Sequence, residues 1–489
     1  MGLSGNIMGI DDKSIYRKFG TGLALFALLA GFTGSSLGNE LPWEEKVIQR
    51  HIDIADFQGQ LDADRLTRLR NAGEVLFTGK FTKQDGFGRP MATQAILPTK
   101  SRYAAQSDFQ RLAGPDANAC SSCHNDPIVG AAGHSTANVF VSEGFTNANF
   151  DSIDPQFSNE RNTNHLMGIG LVELLAREMT RDLVELRTAS LHKAKRINEP
   201  VVVKLVTKGV SFGHLAANPD GTVDLSGVEG VDSDLHVRPF SHKGVFSSIR
   251  QFTVNAMNHH HGMQALERFS VRWTGETDFD EDTVETELTA GDISALVAWQ
   301  ATLAPPIQVV PENQRWAEMA SQGQELFANI GCSECHIPAL PLESTLFSDP
   351  GPLDVAGTLR VSELENGTTY DLAERSWIKT LPRNDEGHVM VPLFSDLKRH
   401  KISDAKVQVF GNELLSQRFV ERDQFQTTEL WGVGSTAPYG HRGNLTTLDE
   451  AIRGHGGEAG EARKRYLGLV DSERNAIIAY LKTLVIEHE

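Results

Sequence analysis

All four cysteines of this 489-residue chain lie in two copies of one short motif. Cys120, Cys123 and His124 fall in NACSSCHNDP, and Cys332, Cys335 and His336 fall in GCSECHIP. Paired cysteines with an adjoining histidine suit three chemistries: zinc binding, disulfide exchange and covalent haem attachment. A zinc site of the two-pair type brings its pairs about 12 to 20 residues apart, whereas more than 200 residues separate these. A thioredoxin-like CxxC needs a strand before it and a helix after it, and the loop-like LAGPDANAC supplies no such setting. Haem fits both copies. The two thiols of each motif add to the vinyl groups of one porphyrin, and the next histidine turns back to bind its iron. The expected cofactors are therefore two covalently bound haem c groups.

Attachment of this kind takes place outside the cytoplasm, and the N-terminus carries a matching signal. Lys13, Arg17 and Lys18 precede the apolar run GLALFALLAGF over 22–32, followed by TGSSLGNE. That pattern reads as a signal peptide over 1–38 and places the mature protein in the periplasm. The apolar run has 11 residues, short of the roughly 20 needed to cross a bilayer, so no stable membrane span is expected after processing. Hydrophobic residues make up 40% of the chain, enough for sizeable cores, and the formal charge of -18 argues against nucleic acid as a partner. An acidic surface suits a basic partner, and the expected donor is a small redox protein or a quinol-derived source of electrons.

The elements that must position the two motifs form a repeat. GEVLF (Gly73 to Phe77) precedes the first motif and GQELF (Gly323 to Phe327) the second, each expected to open a short amphipathic helix. Downstream, RPFSHKGVFSSIRQF and APYGHRGNLTTLDEA match without a gap at an offset of 199 residues, pairing His242 with His441 and Gly244 with Gly443. Ser248 with Gln251, and Thr447 with Glu450, have the spacing of capping boxes that start a helix. LVAWQATL (296–303) and IIAYLKTL (477–484) close the two copies. Between them APPIQVVPENQ (304–314) carries three prolines and reads as a linker. The domains predicted are 39–303 and 315–489, two tandem cytochrome c-like haem domains. The first has insertions such as KQDGFGRPM, since 43 residues separate Phe77 from Cys120 against five from Phe327 to Cys332. The fold class is mainly α with little β. LMGIGLVELLAREM is spaced as a helix, and VVVKLVTKGVSFG with DGTVDLSG as a small β-hairpin.

A histidine-ligated haem iron has one more axial position, and what fills it decides between electron transfer and peroxide binding. After the second capped helix comes RGHGGEA, where His455 precedes two glycines that end the helix. The corresponding place in the first copy is NAMNHHHGMQ; aligning on Gly262 favours His261, with His260 next and His259 behind. Gln264 and Glu267, just beyond, are candidates for acid–base help in splitting a peroxide bond, or simply parts of a solvated helix face. His242 and His441 read as hydrogen-bonding partners near a haem edge, and His134, His165 and His400 as weaker candidates. Trp299 and Trp431 fit core packing, with an electron path as the alternative.

Together CSSCHNDP, NHHHGMQALERF, GCSECHIPAL, PLFSDLKRH and LWGVGSTAPYGHRGNLTTLDEAIRGHGGEA give the chain, from about residue 70 to 485, a likeness to a known family. It resembles the bacterial di-haem oxidoreductases, often labelled thiol oxidoreductase-like, distant relatives of di-haem cytochrome c peroxidases and MauG. The resemblance implies peroxide chemistry at the N-terminal haem (Cys120, Cys123, His124) and electron supply through the C-terminal haem (Cys332, Cys335, His336). It implies a distal ligand at the position of His455, often methionine in relatives; histidine here implies a lower potential. Relatives carry calcium between their domains, so Ca2+ is a further expectation, although no local acidic loop identifies its ligands. The chain departs from the family at His441-Arg442-Gly443, where HDG is usual, and at Arg399-His400-Lys401-Ile402, where LHDMG is usual. The thiol label has no support, because no cysteine is left over. The leading expectation is a periplasmic oxidoreductase of peroxidase type. A bis-histidine electron-transfer cytochrome without its own substrate and a MauG-like oxidant of a partner protein are the alternatives.

Overall fold

The computed structural model describes residues 45–88, 117–138, 160–411 and 419–487. The expected signal peptide and the end of the KQDGFGRPM loop lie outside them. The helices that frame the molecule are α1 (Ala63–Thr78), α2 (Ile169–Ile197), α3 (Ile249–Ala256), α4 (Ala290–Ala301), α5 (Gln314–Asn329), α6 (Leu448–Gly454) and α7 (Asp471–Leu481). Helix accounts for about 39% and strand for 16%. The chain is thus mainly helical, but "little β" needs correction: among the described residues fourteen short strands make six sheets of two or three. Many are only two to four residues long, too short for alternation to register in the sequence.

The second CxxCH follows directly on α5, and the first, more than 40 residues beyond the end of α1, packs against that helix; each of the two helices crosses the last helix of its copy. Asp62 caps α1 by accepting from Arg65 N at 2.8 Å, and Asn313 caps α5 by accepting from Trp316 N at 3.1 Å. These caps start the helices about ten residues before GEVLF and GQELF, which close the helices rather than open them. Leu66, Leu69, Gly73, Leu76 and Phe77 make the buried stripe of α1, and Ala320, Gly323 and Phe327 that of α5. Gly73 lies against the backbone of α4, where a Cβ would overlap the Ala295 carbonyl oxygen; Gly323 lies in the same way against Ala476 of α7. Next to these crossings Phe77 packs on Trp299 at 4.2 Å between ring centroids and Phe327 on Tyr480 at 5.7 Å.

The downstream repeat is equally literal. Phe240 bridges Phe246, and Tyr439 bridges Leu445, at matching positions before α3 and α6. Thr447 and Glu450 form a complete capping box. Ser248 caps α3 by accepting from Gln251 N, but the Gln251 side chain accepts from Ser247 N instead of returning to the cap. The expected hairpin is present as strands Val201–Thr207 and Val210–Ala217, joined by Lys208 and Gly209 with φ of 49° and 82°. Positive φ at both central residues is the two-residue turn whose twist suits a hairpin. A third strand, Val223–Asp224, extends this sheet, and α2 packs on it.

Short strands tie distant stretches together. Gly59 and Gln60 pair in parallel with Thr368 and Thr369, and Ile307–Gln308, inside the expected linker, pairs with Leu484–Val485. The buried Arg250 of α3 bonds to Asp349 at 2.7 Å and to Glu267 at 2.6 Å. Contacts join residues Glu45–Glu489 into one unit. Among the described residues no helix is long and apolar enough to cross a membrane. Substituting alanine at Gly73 or Gly323 should cost about 1–3 kcal/mol through overpacking, read as a lowered thermal midpoint. Gly468→Ala, where an added Cβ meets nothing, should leave the midpoint nearly unchanged.

Candidate functional site

Each CxxCH opens on its own cavity, one of about 190 Å³ beside Cys120, Cys123 and His124 and one of about 380 Å³ beside Cys332, Cys335 and His336. Four cysteines in two separate cavities cannot converge on one zinc, and no disulfide joins them.

In the second cavity two histidines are fixed by the same device. His336 Nδ1 lies 3.1 Å from the Phe394 carbonyl oxygen and His455 Nδ1 2.8 Å from that of Ala451. A carbonyl oxygen only accepts, so each Nδ1 carries the proton and each Nε2 keeps its lone pair. Burial, with His455 nearby, lowers the pKa of His336 to about 4, and burial lowers that of His455. Both rings are neutral at pH 7, as iron ligands must be. His455 caps the end of α6, and Phe410 stands edge-on to it at 5.4 Å. The chain then turns at Gly457, with φ of 52°, so close to Lys401 that a Cβ would overlap its carbonyl oxygen.

His441 lines the same cavity and stacks on Phe425 at 4.5 Å. The Lys243 ammonium sits 3.5 Å from the centre of that ring and donates to the Glu421, Arg422 and Gln424 carbonyl oxygens. His242, the counterpart of His441, lines both cavities and donates from Nε2 to the Asn162 carbonyl oxygen at 3.0 Å. His400, a weak candidate by sequence, lines the second cavity between Asp396 at 2.8 Å and Glu458 at 2.7 Å. Burial opposes its charge, yet Asp396 first and the Cys335 thiol second push its pKa up to about 11.

In the first cavity burial, with a contribution from His260, lowers the pKa of His124 to about 4. Both His260 and His261 line this cavity. His261 directs Nδ1 to the Ala117 carbonyl oxygen at 2.7 Å and Nε2 to Cys120 Sγ at 3.4 Å. His260 adds to the lowering of the His124 pKa as His455 adds to that of His336, whereas alignment on Gly262 favours His261 for the corresponding place. His259 is buried and lines neither cavity. All three histidines ride on one π-helical turn, Met257–His261, closed by Gly262 with φ of 66°.

Gln264 and Glu267, the candidates for acid–base help, line neither cavity. Glu267 is held by Arg250 and accepts from Leu359 N at 2.6 Å, and Gln264 is buried beside Glu287. Both tryptophans pack cores: Trp299 against Phe77, and Trp431 against the backbone at Gly168. His134 is exposed on the strand Gly133–Asn138. Asp278, Asp280 and Asp282 bring one carboxylate oxygen each within 4.8 Å of the others, hard donors of the kind calcium takes. The DxDxD spacing was the signal for this cluster, which lines neither cavity.

Two segments missed in the sequence stand between the cavities. Residues 162–165 and 426–429 line both. They belong to NTNHLMG (162–168) and QTTELWG (426–432), a second repeat at an offset of 264 whose closing glycines have φ of 78° and 84°. His165 and Glu429 occupy matching positions. His165 donates from Nε2 to the Trp431 carbonyl oxygen at 3.0 Å.

Paired thiols, a buried neutral imidazole and a largely apolar wall fit a porphyrin iron in each cavity. Residues 373–484 match the family model "Di-haem oxidoreductase, putative peroxidase". This bears out the resemblance to an enzyme family drawn from the motifs, over a segment that holds Asp396, His400, His441 and His455. Over 77 residues the chain is 36% identical to a cytochrome-c peroxidase, IdrP2, of Denitromonas iodatirespirans. The match covers 15% of this chain and 20% of that protein, so the chain spans about one fifth of the curated relative it matches. Two solved structures are similar at lower identity. Hydrazine synthase of Kuenenia stuttgartiensis is 14% identical, with 95% of this chain and 100% of that chain covered and a TM-score of 0.34. A MauG-like protein associated with microbial copper homeostasis is 15% identical, with 54% and 77% covered and a TM-score of 0.24.

A histidine raised from 6.5 to about 11 stabilises the fold fully below pH 6.5 and loses that contribution as pH climbs toward 11. Asp396→Asn should therefore lower the thermal midpoint most at about pH 6, with the gap to wild type narrowing by about pH 9. A constant gap would contradict a charged His400.

Proposed function

We propose that the protein is an exported, periplasmic di-haem oxidoreductase of peroxidase type, with peroxide reduced at the first cavity and electrons delivered through the second. Cys120 and Cys123 tether one haem c in this reading and Cys332 and Cys335 the other. His124 and His336 are the near iron ligands, His455 is the far ligand of the second haem, and His260, rather than His261, faces the first. A bound haem supplies one-electron redox chemistry and, where its sixth position opens, a seat for peroxide.

The observation that carries the division of labour is the unequal mounting of the two far histidines. His455 ends a regular helix with Nδ1 held by the Ala451 carbonyl oxygen. His260 rides on a π-turn, a rare geometry concentrated at functional sites. The first position is accordingly the exchangeable one and the second the fixed one. The apolar walls restrict water, and in the second cavity the Phe394 and Ala451 carbonyl oxygens hold the imidazole protons of His336 and His455. Reducing hydrogen peroxide to two waters takes two electrons and two protons. The electrons come from a small redox protein or a quinol-derived donor, and the charge of -18 favours a basic partner.

A second reading, an electron-transfer cytochrome, draws on one specific feature: a second histidine is available in each cavity. Electron paramagnetic resonance of the half-reduced protein separates the two. The peroxidase reading expects a high-spin or cyanide-accessible first haem, whereas two unchanging low-spin signals would leave the electron carrier. His260→Ala should turn the first haem high-spin while His261→Ala leaves it low-spin. His455→Ala should alter the second haem alone. A mass without two added haems would remove both readings.

A further inference from the structure

The wall between the two cavities holds an acid that the proposed chemistry has not used. Residues 426–429 belong to an extended stretch whose backbone is pinned on both sides, Thr427 N donating to the Lys398 carbonyl oxygen at 2.9 Å and Leu430 N to that of Leu393 at 3.1 Å. That pinning leaves Glu429 in the surface of both cavities, at the position His165 takes in the facing repeat. Among the described residues its carboxylate has no ion pair with Lys, Arg or His. A carboxyl so placed meets the low-dielectric space on either side, where a change of charge on a bound haem is felt far more strongly than in water.

We propose that Glu429 takes up one proton when an electron enters the haem pair and releases it when the electron leaves. The proposal rests on the di-haem reading above but not on peroxidase activity. The balance is simple. The donor protein or quinol supplies the electron and a solvent hydronium supplies the proton, so one O–H bond forms on the Glu429 carboxylate as one breaks in the hydronium, which is left as water. Charge in the partition then stays constant through turnover. A carboxylate left ionised would oppose each incoming electron, and a permanently neutral side chain would leave the added charge uncompensated.

Two facts suit the residue to this role. Burial lifts its carboxyl to about 7, so that both protonation states are accessible near neutral pH. The charged and titratable groups around it do not contribute to that shift. They are His165 and His242 on both sides, Arg161, His124, His260 and His261 on the first, and His336, His400, His441, His455, Glu334, Glu458, Glu461, Arg463 and Arg465 on the second. Burial holds His165 and His242 near 4, neutral throughout this range, and His400 stays charged up to about 11. Glu429 is thus the member of the partition that titrates where a periplasmic enzyme works.

The test uses the full holoprotein. Midpoint potentials of both haems would be measured by spectroelectrochemistry from about pH 5.5 to about pH 9. The expected wild-type result is a reduction equilibrium that weakens with rising pH, approaching about tenfold per pH unit at its steepest. Glu429→Gln should flatten it and Glu429→Asp should retain it. Equal slopes in wild type and Glu429→Gln overturn the proposal. Should Glu429→Gln fail to fold, reduced-minus-oxidised infrared spectra of the wild type in H2O and D2O decide. A deuterium-sensitive carboxylic C=O band gained on reduction supports the proposal, and its absence overturns it. Haem content, read from the same samples, keeps the outcomes apart. Two haems without the slope refute this role of Glu429 alone, whereas a colourless protein refutes the di-haem reading beneath it.

Discussion

Backbone-to-backbone contact between helices is the constraint from which both cavities follow. Gly73 and Gly323 let α1 and α5 press directly on α4 and α7; the second CxxCH begins within a few residues of the end of α5, and the first packs against α1. The contact fixes the aromatic pairs Phe77–Trp299 and Phe327–Tyr480, and through Phe77 and Phe327 it reaches His124 and His336 at 6.1 Å and 6.3 Å. A larger residue at either glycine would push the helix outward and move the neighbouring histidine, His124 or His336, with it.

From that frame the two copies diverge by how they hold their far histidines. The second uses a helix end, a glycine turn and a backbone carbonyl, all of them rigid. The first uses a π-turn carrying three histidines in succession. A duplicated scaffold has in this way two different degrees of freedom at equivalent places, without a change in the near ligand.

Much of this was legible in the sequence because covalent chemistry and capping leave local signatures. The CxxCH motifs, the Thr447–Glu450 box and the Lys208–Gly209 hairpin each depend on residues adjacent in the chain. The resemblance supplied the family, and the match over residues 373–484 agrees with it. What the sequence hid depends on partners far away. Glu267 looks like a cavity acid until Arg250 is seen to hold it, and choosing between His260 and His261 requires knowing where Ala117 and Cys120 fold. The partition segments were legible in principle, since NTNHLMG and QTTELWG repeat, but their role appears only when both are seen to face the same two spaces.

The parallel pairing of Gly59 and Gln60 with Thr368 and Thr369 bears on how such a chain is assembled. The early strand has no partner until more than 300 further residues are in place, so the chain closes this sheet late. Loop-closure entropy makes that step slow relative to local helix formation.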